Sequence, residues 1–238
     1  SLGLKGNSWY QQLKYNYYSS ETTTSSTSTA NSITGEEGLE ITTSAITVRI
    51  SQDTRDDYFN PKSGHLISFA NTLAGFGGDS TFIKSVLNSK IFYPINYGDY
   101  TLGLKSGVGF INSLDDKITS SNRFSLGGKT LRGFDNTGVG PRDTGNNQVV
   151  GGNNYYNFSI ELNSDEWMPA DTGLNWLVFS DIGSIWGTDY VAGVQGYDDI
   201  SPRITYGFGL SMITPVGPLQ MIWGFPIESK SYDLEENF

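Results

Sequence analysis

A chain of 238 residues with 37% hydrophobic and 13% aromatic residues, 29 glycines and no cysteine has room for one large β domain or two ordinary ones. A formal net charge of −10 excludes the clustered Lys and Arg that a nucleic-acid partner or an anionic membrane surface would require, and the absence of Cys excludes a disulfide framework and any thiolate metal site. No run of about 18 apolar residues is present, so a transmembrane helix is excluded as well.

In chain order, Ser1 to Gly6 lacks the charged and apolar regions of a signal peptide and reads as the end of a strand entered midway. That predicts a fragment whose targeting sequence lies upstream. Period-two alternation then predicts strands over 9–18, 43–51, 64–74, 81–93, 100–110, 154–163, 174–186, 203–213 and 219–227, with a stub at each end. The clearest are 203–213, where Ile204, Tyr206, Phe208, Leu210 and Met212 alternate with Arg203, Thr205, Gly207, Gly209 and Ser211, and 100–110, where Tyr100, Leu102, Leu104, Val108 and Phe110 share one face. Thr22 to Ser32 is almost wholly Ser and Thr, a composition that cannot bury a core and predicts a mobile loop. No internal repeat stands out beyond the strand rhythm, and one domain spanning 1–238 is expected.

The predicted strands are about 9–13 residues long, the length that crosses a bilayer when tilted, whereas soluble strands average nearer 5–6. Connections are long at 19–42, 112–153 and 187–202 and shorter at 52–63, 94–99, 164–173 and 214–218. Apart from the short 75–80, this is the long-outside, short-inside alternation of outer-membrane barrels. Trp9, Tyr17, Tyr18, Tyr93, Tyr100, Trp176 and Trp186 lie near strand ends, where aromatic girdles are expected. The fold class is therefore an all-β, antiparallel transmembrane barrel.

Enzyme chemistry is poorly supplied. His65 is the sole histidine, and no Gly-x-Ser-x-Gly elbow accompanies it, so a structural role is expected. The run Asp53-Thr54-Arg55-Asp56-Asp57 matches no EF-hand spacing and reads, with Asn60-Pro61-Lys62-Ser63-Gly64, as a charged turn. No metal and no cofactor is called for.

The informative stretch is Gly127 to Phe134, followed by Gly138-Val139-Gly140-Pro141-Arg142-Asp143. Inside a barrel, Arg132 could hold its loop by bidentate pairing with lumen carboxylates. Strand parity supplies them. With Tyr156, Phe158, Ile160 and Leu162 facing lipid, Glu161 points inward; with Leu174, Trp176, Val178 and Ile182 facing lipid, Asp181 and Gly183 point inward. A carboxylate facing lipid would be costly, which fixes the choice. One Arg between two acids would also relieve their repulsion.

At these residues the sequence resembles the BamA-type outer-membrane assembly barrels of the bacterial surface antigen family. The loop motif stands as Leu131-Arg132-Gly133-Phe134, the Phe-x-Asp-x-Gly strand motif as Phe179 to Gly183, and the preceding strand glutamate as Glu161. Ser51 to Gly64 looks like the family's turn between two middle strands, and Pro215-Val216-Gly217-Pro218-Leu219 looks like its hairpin near the C-terminus. The resemblance spans essentially the whole chain. It implies the later strands of a sixteen-stranded barrel preceded by POTRA domains, which this chain lacks, and an Arg132 docked on Glu161 and Asp181. It also implies folding and insertion of nascent β-barrel substrates into the bacterial outer membrane, without ATP, by strand addition at a weakly paired seam beside a thinned bilayer. Accessory lipoproteins of an assembly complex are the further partners implied, and no nucleic acid. TamA-type assembly factors and two-partner secretion transporters share the Arg-Gly-aromatic loop and are the nearest alternatives; a passive porin or adhesin is a more distant one. Asp233 to Phe238 falls where the closing strand would begin, so an incomplete barrel or one built into a larger assembly is expected.

Overall fold

The fold is given by a computed structural model, which describes residues 2–5, 8–23, 25–115, 117–166, 168, 172–189, 191–214 and 217–238. Ten strands form one antiparallel sheet: β1 (Leu2–Lys5), β2 (Trp9–Glu21), β3 (Glu40–Asp53), β4 (Gly64–Ala74), β5 (Phe82–Ile95), β6 (Tyr100–Ser113), β9 (Asn154–Ser164), β10 (Leu174–Trp186), β12 (Arg203–Thr214) and β13 (Gly217–Glu228). Each pairs with its neighbour in chain order. Four two-residue strands lie outside it and pair among themselves: β7 (Gly133–Phe134) with β14 (Glu235–Glu236), and β8 (Arg142–Asp143) with β11 (Val194–Gln195).

From β2 to β13 the strands of the large sheet are 11–14 residues long, enough to cross a bilayer at the usual tilt. Their alternation is resolved into two faces. The outward face carries Leu13, Val48, Ile50, Phe69, Leu87, Val108, Phe158, Ile160, Val178, Tyr206 and Phe208, all exposed. A continuous exposed apolar face of this kind is what a lipid-facing wall requires. The inward face is polar and Gly-rich, with Lys14, Thr47, Thr72 and Lys84 sharing one lumen cavity. Among the described residues no helix is long and apolar enough to cross a membrane; α1 (Asn31–Thr34) is a single turn.

The structure alters several expectations. Strand ends reach further into the first long connection, which shortens to 22–39. Tyr18 does not belong to the lipid girdle, because consecutive residues of β2 face opposite sides; Tyr17 is exposed, while the Tyr18 hydroxyl donates to Asn122 Oδ1 at 2.6 Å in the lumen. The stub at the end of the chain is not a further strand of the wall: Glu235–Glu236 turns inward onto β7. Nor is the Ser/Thr-rich connection without a core. Ala30 and Ile33 are buried in a cluster with Val150 and Val194, brought from two other loops. Ser1, Gly6, Pro215 and Val216 lie outside the described residues; Thr214 and Gly217 close the tight hairpin between β12 and β13.

The charged turn at 54–63 is built by its own carboxylates. Asp56 Oδ1 accepts from the backbone N–H of Asp57, Lys62 and Ser63, Asp57 Oδ1 from those of Phe59 and Asn60, and Asp53 pairs with Arg55 at 2.8 Å. His65 contributes structurally, bonded to Thr54 Oγ1 at 3.1 Å and Gln52 Oε1 at 2.9 Å.

Candidate functional site

The connection between β6 and β9 folds back into the barrel. Its apolar residues Leu126, Leu131, Phe134 and Val139 are at most 1% exposed and pack with Ile185 of β10. Burying Leu131 and Phe134 on either side leaves the dipeptide between them pressed against the wall. Gly133 has φ +95°, and a Cβ on Gly224 of β13 would come within 2.6 Å of the Gly133 nitrogen. Both glycines are therefore required for loop and wall to approach this closely.

Arg132 is carried by that contact into a set of inward side chains of β9 and β10. Its Nε and Nη2 donate to the two oxygens of Asp181 at 2.8 and 2.7 Å, Nη1 to Glu161 Oε2 at 2.7 Å, and Nη2 also to Ser159 Oγ at 2.9 Å. The backbone N–H of Arg132 adds a bond to Asp181 Oδ2 at 3.1 Å. Four of the five guanidinium N–H groups are thus used. The guanidinium plane lies over the ring of Phe179, with Cζ 3.4 Å from the centroid. Register explains the grouping: Phe179 pairs with Glu161 and Asp181 with Ser159, so the four inward residues form a square on adjacent strands.

Glu161 is 6% and Asp181 1% exposed, and Arg132 is 9% exposed. Charges this buried are tolerable only when paired and hydrogen-bonded. Lys105 of β6 supplies a second partner for Glu161, Nζ to Oε2 at 3.0 Å. Two cations and two acids in alternation (Lys105, Glu161, Arg132, Asp181) therefore run along one level of the wall, on the rim of a lumen cavity of about 950 Å³.

Of the residues singled out from sequence, Leu131, Arg132, Gly133, Phe134, Glu161 and Asp181 come together here. Gly183 does not bond to Arg132. It stands beside the loop for a steric reason: a Cβ there would meet the Tyr156 carbonyl at 2.9 Å and the Leu126 side chain at 3.2 Å. Ser159, Phe179 and Lys105 were not picked out as partners, although Ser159 and Phe179 have the parity of the two acids and stand two residues from them.

Asp143, further along the same loop, anchors the Ser/Thr-rich connection over the outer end. It accepts from Ser28 Oγ, from the N–H groups of Thr29 and Ala30 at 2.9 Å each, from Thr29 Oγ1 at 3.0 Å and from Gly145 N at 2.6 Å. Burial favours the neutral acid, but the donations of Ser28, Ala30, Gly145 and Thr29 outweigh it and hold the carboxyl well below its usual range. Glu36, 1% exposed, fixes the other end of that connection through Ser120 N at 3.0 Å and Ser120 Oγ at 2.7 Å.

The Omp85 superfamily domain matches residues 1–238. The chain is 31% identical over 179 residues to the outer membrane protein assembly factor BamA of Neorickettsia risticii, covering 75% of this chain and 24% of the relative. It is 30% identical over 193 residues to a SAM50-like protein of Schizosaccharomyces pombe, covering 77% and 40%. Its fold matches the crystal structure of BamA from Haemophilus ducreyi lacking POTRA domains 1–3, with TM-score 0.81 and 19% identity over 96% of this chain and 49% of that one. The chain thus spans between a quarter and a half of the proteins it matches.

Proposed function

The chain belongs to the Omp85 superfamily, and from that premise we propose that the protein carrying it folds and inserts β-barrel proteins into the outer membrane, with Leu131–Phe134 held in the lumen as a structural latch. As a transmembrane barrel of that superfamily, its place is the bacterial outer membrane. Its working partners are the lipid bilayer and unfolded barrel substrates, with accessory lipoproteins completing the assembly.

The observation that carries the latch is the placement of one guanidinium against two buried carboxylates and an aromatic face. Charges buried this completely are costly unless they hold something in place. The latch does no covalent chemistry: it fixes a loop, and the fixed loop keeps the wall between β9 and β13 in one shape. The assembly reading draws on relatives whose names are those of assembly and sorting components.

The test is reconstitution. Proteoliposomes holding the full-length protein should fold a urea-denatured β-barrel substrate faster than empty liposomes, scored by the heat-modifiable shift of the folded product. Arg132→Ala should slow that step and open the loop to protease. Equal folding rates with and without the protein would defeat the assembly reading. Unchanged loop protection in both Arg132→Ala and Asp181→Ala would defeat the latch alone.

A further inference from the structure

We propose that Arg203 and Asp233 form a second clasp, which positions the Arg132 loop through the segment 229–238. The inference rests on the latch reading above. Arg203, the first residue of β12, is fully buried and points into the lumen. Its Nε donates to Asp233 Oδ2 at 2.9 Å and its Nη2 to Asp233 Oδ1 at 3.3 Å, and neither side chain is solvent-exposed. Nη2 also reaches the Tyr232 hydroxyl at 3.0 Å, and that hydroxyl donates to Asp199 Oδ2 at 2.6 Å. Asp233 is held in turn by the Lys230 N–H at 2.8 Å.

The residues that follow reach directly onto the loop. The Leu234 carbonyl accepts from Asp135 N at 3.0 Å, and Leu234 N donates to the Gly138 carbonyl at 2.9 Å. Glu235 and Glu236 pair as a strand with Phe134 and Gly133. The segment thus lies against the loop by its backbone, while its one buried charge is fixed to the wall. Arg132 fastens the loop from within it; Arg203 fastens it from the far side. A bidentate pair buried this completely sets the position of whatever carries the acid. Displacing 229–238 therefore uncovers the edge of Gly133–Phe134, and the loop and the segment after β13 should move together.

Residues 1–238 contain no cysteine, so Lys129→Cys, exposed on the loop, gives a single reporter for a bulky maleimide once any cysteine outside this span is replaced by serine. Labelling is measured on the full-length protein in proteoliposomes, with heat-modifiable migration as the check that each variant is folded. Asp233→Asn should raise the labelling rate about tenfold, the size expected for loss of a charge-assisted contact. Arg132→Ala should raise it too, and the rate of the double variant, relative to the parent, should fall short of the product of the two single effects. Exchanging the charges, Arg203→Asp with Asp233→Arg, should bring the rate back toward that of the parent. Tyr232→Phe, which removes only a hydroxyl, should raise it less. Parental labelling in Asp233→Asn while Arg132→Ala accelerates would overturn the clasp and leave the latch standing. Parental labelling in Arg132→Ala would overturn both. Where Asp233→Asn fails to fold, Tyr232→Phe decides, and a parental rate there overturns the clasp.

Discussion

Arg132 and Arg203 are both buried in this lumen against carboxylates, and they are built in opposite senses. Arg132 rides on a loop and finds its acids, Glu161 and Asp181, preset on the wall. Arg203 is part of the wall and receives its acid, Asp233, from an irregular segment. The difference decides what is left behind when the contact opens. Withdrawal of the Arg132 loop strands two buried anions on adjacent strands, with Lys105 as the remaining cation. Withdrawal of 229–238 strands one cation that still has the Ser201 carbonyl at 2.9 Å and Asp199 at 3.6 Å. A wall that presents acids therefore holds its loop harder than a wall that presents an arginine holds its segment.

The largest effect should come from Arg132→Ala, at about 3–5 kcal/mol, because it leaves Asp181 uncompensated and Glu161 with only the partly exposed Lys105. Urea unfolding of the reconstituted barrel measures it. Adding Glu161→Gln and Asp181→Asn to the same chain should recover part of the loss, since the acids are what the missing arginine orphans. Arg132→Lys should recover little, because an ammonium cannot reproduce the bidentate contact. Asp233→Ala should cost less, about 1–3 kcal/mol, with Asp199 and Ser201 in reserve. Equal losses for the two variants would erase the asymmetry. Phe179→Leu should cost about 1 kcal/mol, in the lower part of the range for a cation over an aromatic face, and should do so only while Arg132 is present.

The two centres also differ in how far the sequence exposes them. Strand parity is a strict geometric rule, and it aims Glu161 and Asp181 inward without any knowledge of the fold. It names a face, however, and does not say which residues on that face a guanidinium will reach; that depends on strand register. Phe179 and Ser159 share the face and became partners through the pairing of Phe179 with Glu161 and of Asp181 with Ser159. Asp233 lies outside any strand, so no periodicity aims it, and its bond to Arg203 depends on a turn that only tertiary contacts fix. The Ser/Thr-rich connection escaped for a related reason. Composition registers its lack of apolar residues, but its anchor is Asp143, more than a hundred residues away, together with two small apolar side chains seated among other loops.

Asp143 offers a third arrangement, an acid satisfied by neutral donors alone, and pH separates it from the other two. Its carboxyl titrates below the usual range in the folded protein, so the stability it contributes is fully present above the unfolded value of about 3.9 and is lost as pH falls through the lower folded value. Amide exchange of residues 25–34, corrected for intrinsic rates, should therefore be flat from pH 7 to about pH 4.5 and accelerate below about pH 4. Asp143→Asn should bring the fast exchange to neutral pH and abolish its pH dependence. Protection that begins to fall near neutrality would mean that another group controls the cap.

Lys105→Gln should have the smallest effect and probes the same acid from the other side. Lys105 and Arg132 meet on one oxygen of Glu161, but their settings differ: the Lys105 side chain is 32% exposed and that of Arg132 is 10% exposed. Solvent screening and the entropy of a long side chain reduce a partly exposed pair to about 0–1 kcal/mol. Removing Lys105 leaves Glu161 still neutralised by Arg132, so no buried charge is orphaned. In Arg132→Ala, by contrast, Lys105 is the last cation facing Glu161, and its removal there should cost more than in the parent. The double-mutant cycle reads this directly. A Lys105→Gln effect of the same size in both backgrounds would mean that the two cations act independently, and that the wall acids do not depend on the loop for their neutralisation.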